Sequence, residues 1–380
     1  MHFHERDLAR GLIVFSKFDD QILIDKEKCR EILKSAVPFH YKSFTSIKEA
    51  SNWYSENINN SCESIIQLAK NAKHPFQFIA NVLAIEEGET DPLTIPVTQD
   101  ASSSAYQIMS YLLLDESLAK QTNLIPSDND KINDLYLEIL TDLKQFLQQD
   151  EQFNTTIKNI ICDNMNRKLV KAIFMPIIYG KTSISISNDI QKHYSNILTN
   201  KECYLLASLC LKYIKHRYPN IINLMKLIKN IGWLSSAENN PVYYSVPSFT
   251  TVQDYMVTKQ AQIWIYDRLQ KKIRKVTLRI PTLNRDRRKT EVATFANFIH
   301  QKDAFIAMNV VINLITYAYA PIYTVHDNFI TTASYCELIP IIYIYVFKEL
   351  KSPLELINIL IDLNLIRPVL SNYMDIKDNE

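Results

Sequence analysis

Cysteine pairing is the first thing missing. Cys29, Cys62, Cys162, Cys203, Cys210 and Cys336 are scattered along the chain with no C-x-x-C among them. That excludes an ordinary zinc ribbon and offers no disulfide scaffold, so a reducing compartment is the simpler reading. Net charge is nearly absent too, since 42 Lys+Arg offset 41 Asp+Glu. The global balance speaks neither for nor against a nucleic-acid partner, and local charge must decide. The N-terminus, MHFHERDLARGLIVF, mixes acids with bases and has no apolar run before a cleavage site. It reads as neither a secretory signal nor a transit peptide. Glycine is scarce, at four residues, in a composition rich in Ile, Asn, Lys and Tyr. AT-rich coding, as on an organellar element, produces that bias.

What is present is ample apolar material. The 380 residues exceed one average domain of roughly 150 residues, and 47% of them are hydrophobic, enough for a large core. The run Ala304 to Val325 carries no charge and has the length of a membrane span. Asn309, Asn313 and Pro321 interrupt it, so it reads as a buried helix followed by a strand, and no membrane partner is expected. Helices are expected at Lys26 to Leu33, Ile47 to Asn57, Ala105 to Leu114, Lys131 to Leu147, Asn164 to Ile178, and Glu202 to Ile231 with a break at Pro219. A turn falls at Glu86 to Glu89, followed by a short strand through Ile95 and Val97. Val242 to Thr251 and Ile273 to Ile280 look extended, the latter by its alternation of Val276, Leu278 and Ile280 with Lys275, Thr277 and Arg279. The class is mixed α/β and helix-rich.

Three constellations carry chemistry. Asp100 leaves a strand just ahead of a helix whose first turn is rich in Ser, through Ala101, Ser102, Ser103 and Ser104 to Gln107. Such a carboxylate is placed either to cap that helix or to hold a cation. Arg167, Lys171, Met175 and Tyr179 recur in steps of four, on one slowly drifting helical stripe. Two cations a turn apart suit a triphosphate; a solvated basic face is the plainer alternative. Pro176 distorts the helix, and Gly180 follows Tyr179 where a helix end needs a left-handed residue. Lastly, β-rich runs flank His326-Asp327-Asn328, so Ile322 to Thr331 reads as a hairpin with an acid at its bend. Asp100 and Asp327 are far apart in sequence, yet folding can join two carboxylates around hard divalent cations. Between Arg268 and Lys289, ten Lys or Arg face only Asp286. Lys271, Lys272, Arg274, Lys275, Arg285, Arg287 and Arg288 of that run form either a nucleic-acid-binding surface or a solvated charged hairpin.

In this order, the segments Asp100 to Gln107, Arg167 to Gly180 and His326-Asp327 resemble motifs A, B and C of the phage-type, mitochondrial-type single-subunit RNA polymerases. Asp7 to Leu12, His74 to Phe78 and Asn297 to Asp303 resemble further segments of that family, and the versions on mitochondrial linear plasmids share the M-P-x-x-Y-G-K-T reading of motif B. The resemblance implies the palm and fingers of a right-hand polymerase. Residues 1–120 would begin the palm with motif A, 121–295 would form the fingers with motif B and the basic hairpin, and 296–380 would return to the palm with motif C.

It also implies roles. Asp100 and Asp327 would bind two Mg²⁺ ions. Arg167 and Lys171 would hold the incoming nucleotide's phosphates, with Lys171 also catalytic. Tyr179, with Gly180 beside it, would sit by the base and sugar and help select ribose. His300 would approach the ribose or nascent pair, and His326 would lie beside the metal aspartate. The implied partners are a DNA template, nascent RNA and rNTPs, with a monomeric chain and a mitochondrial setting. The family's N-terminal domain, thumb and first palm motif would precede Asp7, so the resemblance implies a chain lacking them, completed by an N-terminal region or an accessory factor.

Ala101 stands where the family often has Gly, Asn328 where Ser is usual, and Ser371 to Asp375 where relatives end on an aromatic. Two rivals remain open. A family A DNA polymerase would carry a Glu soon after its motif A aspartate and a His-Asp-Glu motif C, neither present here. A non-catalytic remnant would keep the fold and bind nucleic acid.

Overall fold

A computed structural model describes residues 7–16, 25–58, 61–86, 94–127, 131–195 and 197–368. The expected turn beyond Glu86 and the segment Ser371 to Asp375 lie outside the described residues. Helices start where a short polar side chain can take up the orphan N–H groups of a first turn. The chain opens with α1 (Asp7–Gly11), α2 (Lys26–Ala36), α3 (Pro38–Tyr41), α4 (Ile47–Asn57), α5 (Cys62–Ala69) and α6 (Pro75–Glu86). Asp25 caps α2 and Ser46 caps α4, while the Asp7 carboxylate accepts from the N–H groups of Phe76 and Gln77 at the start of α6. Strand β1 (Pro96–Asp100) and helices α7 (Ser104–Leu113) and α8 (Glu116–Gln121) follow.

Next come α9 (Leu135–Gln148), α10 (Thr155–Asn164), α11 (Arg167–Ile177), α12 (Ser183–His193), α13 (Asn200–Arg217) and α14 (Pro219–Ala237). The single helix expected over Asn164 to Ile178 is in fact the end of α10 and then α11. Asn166 breaks the run because its side chain accepts from Leu169 N–H and so starts a new helix. A capping box joins Thr199 and Glu202 at the start of α13. Pro219 breaks the following run as expected, sitting at the start of α14 where its missing N–H costs nothing. Four strands, β2 (Val242–Val246), β3 (Phe249–Gln253), β4 (Met256–Asp267) and β5 (Lys272–Arg285), form two separate antiparallel pairs. The long α15 (Arg287–Ala318) leads to β6 (Ile322–Val325), β7 (Asn328–Thr332), α16 (Ala333–Cys336), α17 (Leu338–Glu349) and α18 (Pro353–Ile361), the last continued by a π-helical turn, Asp362–Ile366. The uncharged run from Ala304 thus divides into helix and strand, and no helix among the described residues is long and apolar enough to cross a membrane.

Two compact units emerge, Met1–Leu135 with Asp303–Leu350, and Tyr136–Lys302 with Lys351–Glu380. In the first, β1, β7 and β6 make a three-stranded antiparallel sheet in that order. Its helices pack around Cys29, Leu33, Val37, Tyr54, Phe78, Val82, Ile95, Val97 and Ala333. In the second, Asn364 of the π-turn binds both N–H and C=O of Tyr243 on β2, and Gly232 of α14 lies so close to Thr294 of α15 that a β-carbon would clash with it.

Lys302 is 1% exposed, its ammonium donating to Gln301 Oε1 at 2.9 Å and lying 3.8 Å from the Phe298 ring. Burial pulls its pKa down to about 7. A folded pKa below the unfolded value means stability is lost as pH falls from about 10 to about 7 and is constant below that. Lys302→Met should therefore raise the melting temperature at pH 7, with the gain shrinking toward pH 10 in a thermal-denaturation series.

Candidate active site and nucleic-acid-binding surface

In the first unit, strand pairing does what spacing alone could not. The β1–β7 register sets Asp100 opposite Asn328, and the N–H of Ala101 donates to the carbonyl of Asp327 at 3.2 Å. The two acids are thus joined at one end of the sheet. His326 opens the two-residue bend between β6 and β7 with φ 57°, a left-handed conformation that matches strand twist in a tight hairpin. Ser103 occupies the N-cap position of α7, at φ 67°, without a side-chain cap bond of its own.

A third acid belongs to this cluster. Asp303 is pushed up to about 6, by burial first and then by the negative charge of Asp327; a hydrogen bond from Ser104 and the charge of His326 oppose the shift. Beneath them lies Tyr343, whose hydroxyl donates to Gln107 Oε1 at 2.8 Å while Gln107 Nε2 donates to Thr122 O at 2.8 Å. Burial raises the Tyr343 phenol well above its ordinary value, and the charges of Asp303, Asp327 and Asp100 add to the shift.

Divalent cations fit these residues. Mg²⁺ takes one or two protein carboxylates and fills the rest of its shell with water and phosphate. Asp100 is exposed and Asp327 half-buried, so both are within reach of such a shell. One buried acceptor with no donor among the described residues, Asn328 Oδ1, belongs to the residue paired across the sheet with Asp100, and a hydrated cation brings donors. No cluster of three or more His, Cys, Asp or Glu suited to enclose a metal occurs among the described residues. The chemistry is that of an open two-carboxylate site.

The second unit carries the cations. Asn166 starts α11 so that Arg167 and Lys171 emerge on one face, both exposed. Both also lie over the ring of Tyr136 on α9, at 5.8 and 5.7 Å from its centroid, a cation–π arrangement that orients them. The far end of the helix is built with equal care. Gly180 N–H donates to Ile177 O, and Lys181 N–H reaches back to Pro176 O at 3.1 Å, closing the helix as a Schellman motif. Gly180 has φ +85°, and an added β-carbon would sit 3.0 Å from Val292 Cγ1. The Lys181 ammonium then pairs with Asp189 and donates to Ala172 O. Tyr179, so placed, stacks on His300 with ring centroids 4.8 Å apart and planes within 1° of parallel. Desolvation lowers the pKa of His300 below its ordinary value, which favours a neutral ring at physiological pH.

The basic run forms the exposed ribbon β4–β5. Lys271, at φ 48°, turns the chain at its tip, and Lys272, Arg274 and Lys275 follow it. Lys275 lies 5.7 Å from the Trp264 ring across the ribbon. Arg274 pairs with Asp267 at 3.3 Å. Arg285 pairs with Asp254 at 3.1 Å and its side chain is only 11% exposed, while Arg287 donates to Ala237 O. These last two contacts anchor the ribbon's base; Arg285 is half-buried there, while Lys271, Lys272, Arg274, Lys275, Arg287 and Arg288 are exposed.

Asp303, Tyr343 and Tyr136 were not singled out as site residues from the sequence. Asp303 had a signal, being the acid that immediately precedes the uncharged run from Ala304. Tyr343 and Tyr136 sit in apolar helices that look like any core segment.

The DNA-dependent RNA polymerase family profile matches residues 39–353. A probable DNA-directed RNA polymerase of Zea mays is 32% identical over 98% of this chain and 38% of its own length. The mitochondrial DNA-directed RNA polymerase 1 of Arabidopsis thaliana is 27% identical over 76% of this chain and 31% of its own. A probable DNA-directed RNA polymerase of Podospora anserina is 24% identical over 94% and 42%. The chain belongs to the DNA-dependent RNA polymerase family. It spans between about a third and two-fifths of the length of these relatives.

Proposed function

We propose that this chain is the palm and fingers of a DNA-directed RNA polymerase, adding ribonucleotides to the 3′ end of RNA on a DNA template. The observation that carries the reading is the β1–β7 pairing, which joins Asp100 to Asp327 at one end of a sheet. These two carboxylates would hold Mg²⁺, two ions in all. Bound there, the metal supplies charge neutralisation on the phosphates and on the oxygens that attack and leave. The residues themselves do the rest. Arg167 and Lys171, exposed and aligned on Tyr136, bind the triphosphate and stabilise the charge that builds up as pyrophosphate departs. Tyr179 stacked on His300 presents a flat polar edge to the base and sugar and so helps select ribose. His326 screens the carboxylates beside it, and Asp303 and Tyr343 hold them in place.

Nucleic acid would lie on the ribbon, through Lys271, Lys272, Lys275 and Arg288, with Arg274, Arg285 and Arg287 contributing mainly to its shape. The names of the relatives, one mitochondrial and others chloroplastic, support an organellar setting, and the chain acts as a monomer.

The test is Mg²⁺-dependent extension of an RNA primer on a DNA template, supplied with rNTPs or dNTPs. Ribonucleotide incorporation is the expected result. Preference for dNTPs would instead identify a DNA polymerase, and salt-sensitive template binding without incorporation under any metal would identify a non-catalytic remnant.

A further inference from the structure

A cleft of about 450 Å³ opens on the second unit, lined by Phe146, Gln149, Asp150, Lys212, Lys215 and His216, and no role proposed above uses it. Phe146 lies on α9, and Lys212, Lys215 and His216 lie on α13. The His216 ring stacks on Phe146, with centroids 5.8 Å apart and planes 27° from parallel. Lys212 Nζ lies 6.0 Å from the same ring and 3.9 Å from the buried carboxylate of Asp150. Lys215 and His216 are exposed.

Two bland explanations fall short. Basic residues in the last turn of α13 favour the helix dipole, which accounts for the charge of Lys215. It does not account for an aromatic platform, nor for a concave surface beside it. Core packing accounts for one edge of Phe146, which meets Tyr213 at 5.6 Å and 69°, but not for its face, on which the exposed His216 ring is stacked. Lys212, Lys215 and His216 are also three and four residues apart on one helix face. The two lysines repel weakly there, and among the described residues Asp150 lies within pairing distance of Lys212 and not of Lys215.

We infer that this cleft binds single-stranded nucleic acid, one base stacking on the His216–Phe146 pair and its phosphates meeting Lys212 and Lys215. Its volume lies in the range of small-ligand sites, roughly 300–1,000 Å³. A flat aromatic platform flanked by cations is what a strand without sequence preference needs, because every base has a face to stack and every nucleotide a phosphate. In a duplex those faces are covered. Phe146 also leads inward. Tyr213 packs edge-on against Phe174 at 5.7 Å and 84°, and Phe174 lies on α11, three residues beyond Lys171. A strand held in the cleft is therefore coupled by packed rings to the helix that carries Arg167 and Lys171. The choice of nucleic acid over another aromatic anion rests on the polymerase reading.

The experiment uses the full chain and a fluorescent oligothymidylate, with iododeoxyuridine-substituted strands for photocrosslinking. Phe146→Ala should weaken single-strand binding about 5- to 100-fold, the range for losing one base–aromatic stack. Lys215→Glu should weaken it and reduce the steepness of its salt dependence by about one unit, whereas Phe146→Tyr should bind like the parent. Crosslinks should map to α9 and α13. Parent-like binding by both Phe146→Ala and Lys215→Glu would overturn the inference, as would crosslinks confined to the β4–β5 ribbon. Displacement of the strand from the cleft by ATP at a lower concentration than by oligonucleotide would overturn it in favour of a free-nucleotide site. If Phe146→Ala misfolds, Lys215→Glu and the crosslink map decide. Primer extension on a template whose single-stranded overhang is limited to the few nucleotides being copied reads the polymerase reading separately, since Phe146 and Lys215 have no part in its chemistry.

Discussion

Asp327→Asn should abolish nucleotide incorporation, by about a thousandfold or more, while leaving the protein folded. The substitution keeps the shape of the side chain and leaves intact the backbone bond from Ala101 N–H to Asp327 O. It removes the negative charge on which cation binding rests, and metal-supplied charge stabilisation is worth several kcal/mol in phosphoryl transfer, with each 1.4 kcal/mol a factor of about ten. A second readout separates this from damage to the fold. The charge of Asp327 helps push Asp303 up to about 6, so its removal should lower the Asp303 pKa and slightly stabilise the protein at neutral pH. Primer extension alongside carbonyl-stretch infrared titration and a melting curve tests all three. An Asn variant that extends primers at near-parent rate would sink the metal assignment; one that melts far below the parent would show that the residue acts through folding.

Loss of Lys171 should be nearly as severe for a different reason. Lys171→Met should reduce incorporation about 10²- to 10³-fold, the size of effect expected when one preorganised charge-stabilising group is lost at a transferring group. Its ammonium is exposed and makes its resolved aromatic contact with Tyr136, so the stability change should stay within about 0.5 kcal/mol, as for most surface substitutions. Arg167→Met, one turn earlier over the same ring, should raise KM for the nucleotide more than it lowers kcat, since it meets the ground-state triphosphate as well. Steady-state kinetics with a single rNTP separates the two. Equal, small changes in both variants would return this stripe to a solvated basic face.

Much of the architecture was legible in local pattern. Apolar residues at helical spacing announced α9, the Pro219 break announced the start of α14, and alternation over Ile273 to Ile280 announced β5. The error over Asn164 to Ile178 came from the same source: hydrophobic periodicity runs on through Met165 and Asn166, whereas the break is made by one side chain accepting one N–H. Within the candidate site, the hairpin at His326-Asp327 and the stop at Tyr179-Gly180 were legible because turns and helix ends are specified by a few adjacent residues. Arg285 and Arg287 show the limit of counting charge. They belong to the densest basic run in the chain, yet one is held by Asp254 and the other by Ala237 O, contacts no one-dimensional pattern contains.

By itself the sequence determined which side chains are available and the local frame each one sits in: a carboxylate at a strand end, cations in steps of four, a tyrosine before a left-handed glycine, an acid in a hairpin bend. Propensity, capping and periodicity act over a few residues and can be read there. Only the tertiary structure decided who meets whom. The register of β1 on β7 joined Asp100 to Asp327, burial among those carboxylates drew in Asp303 and Tyr343, and α15 brought His300 onto Tyr179. Those outcomes depend on strand register and core packing between segments more than a hundred residues apart, where the free energy is set by the whole buried surface and not by any local run of residues.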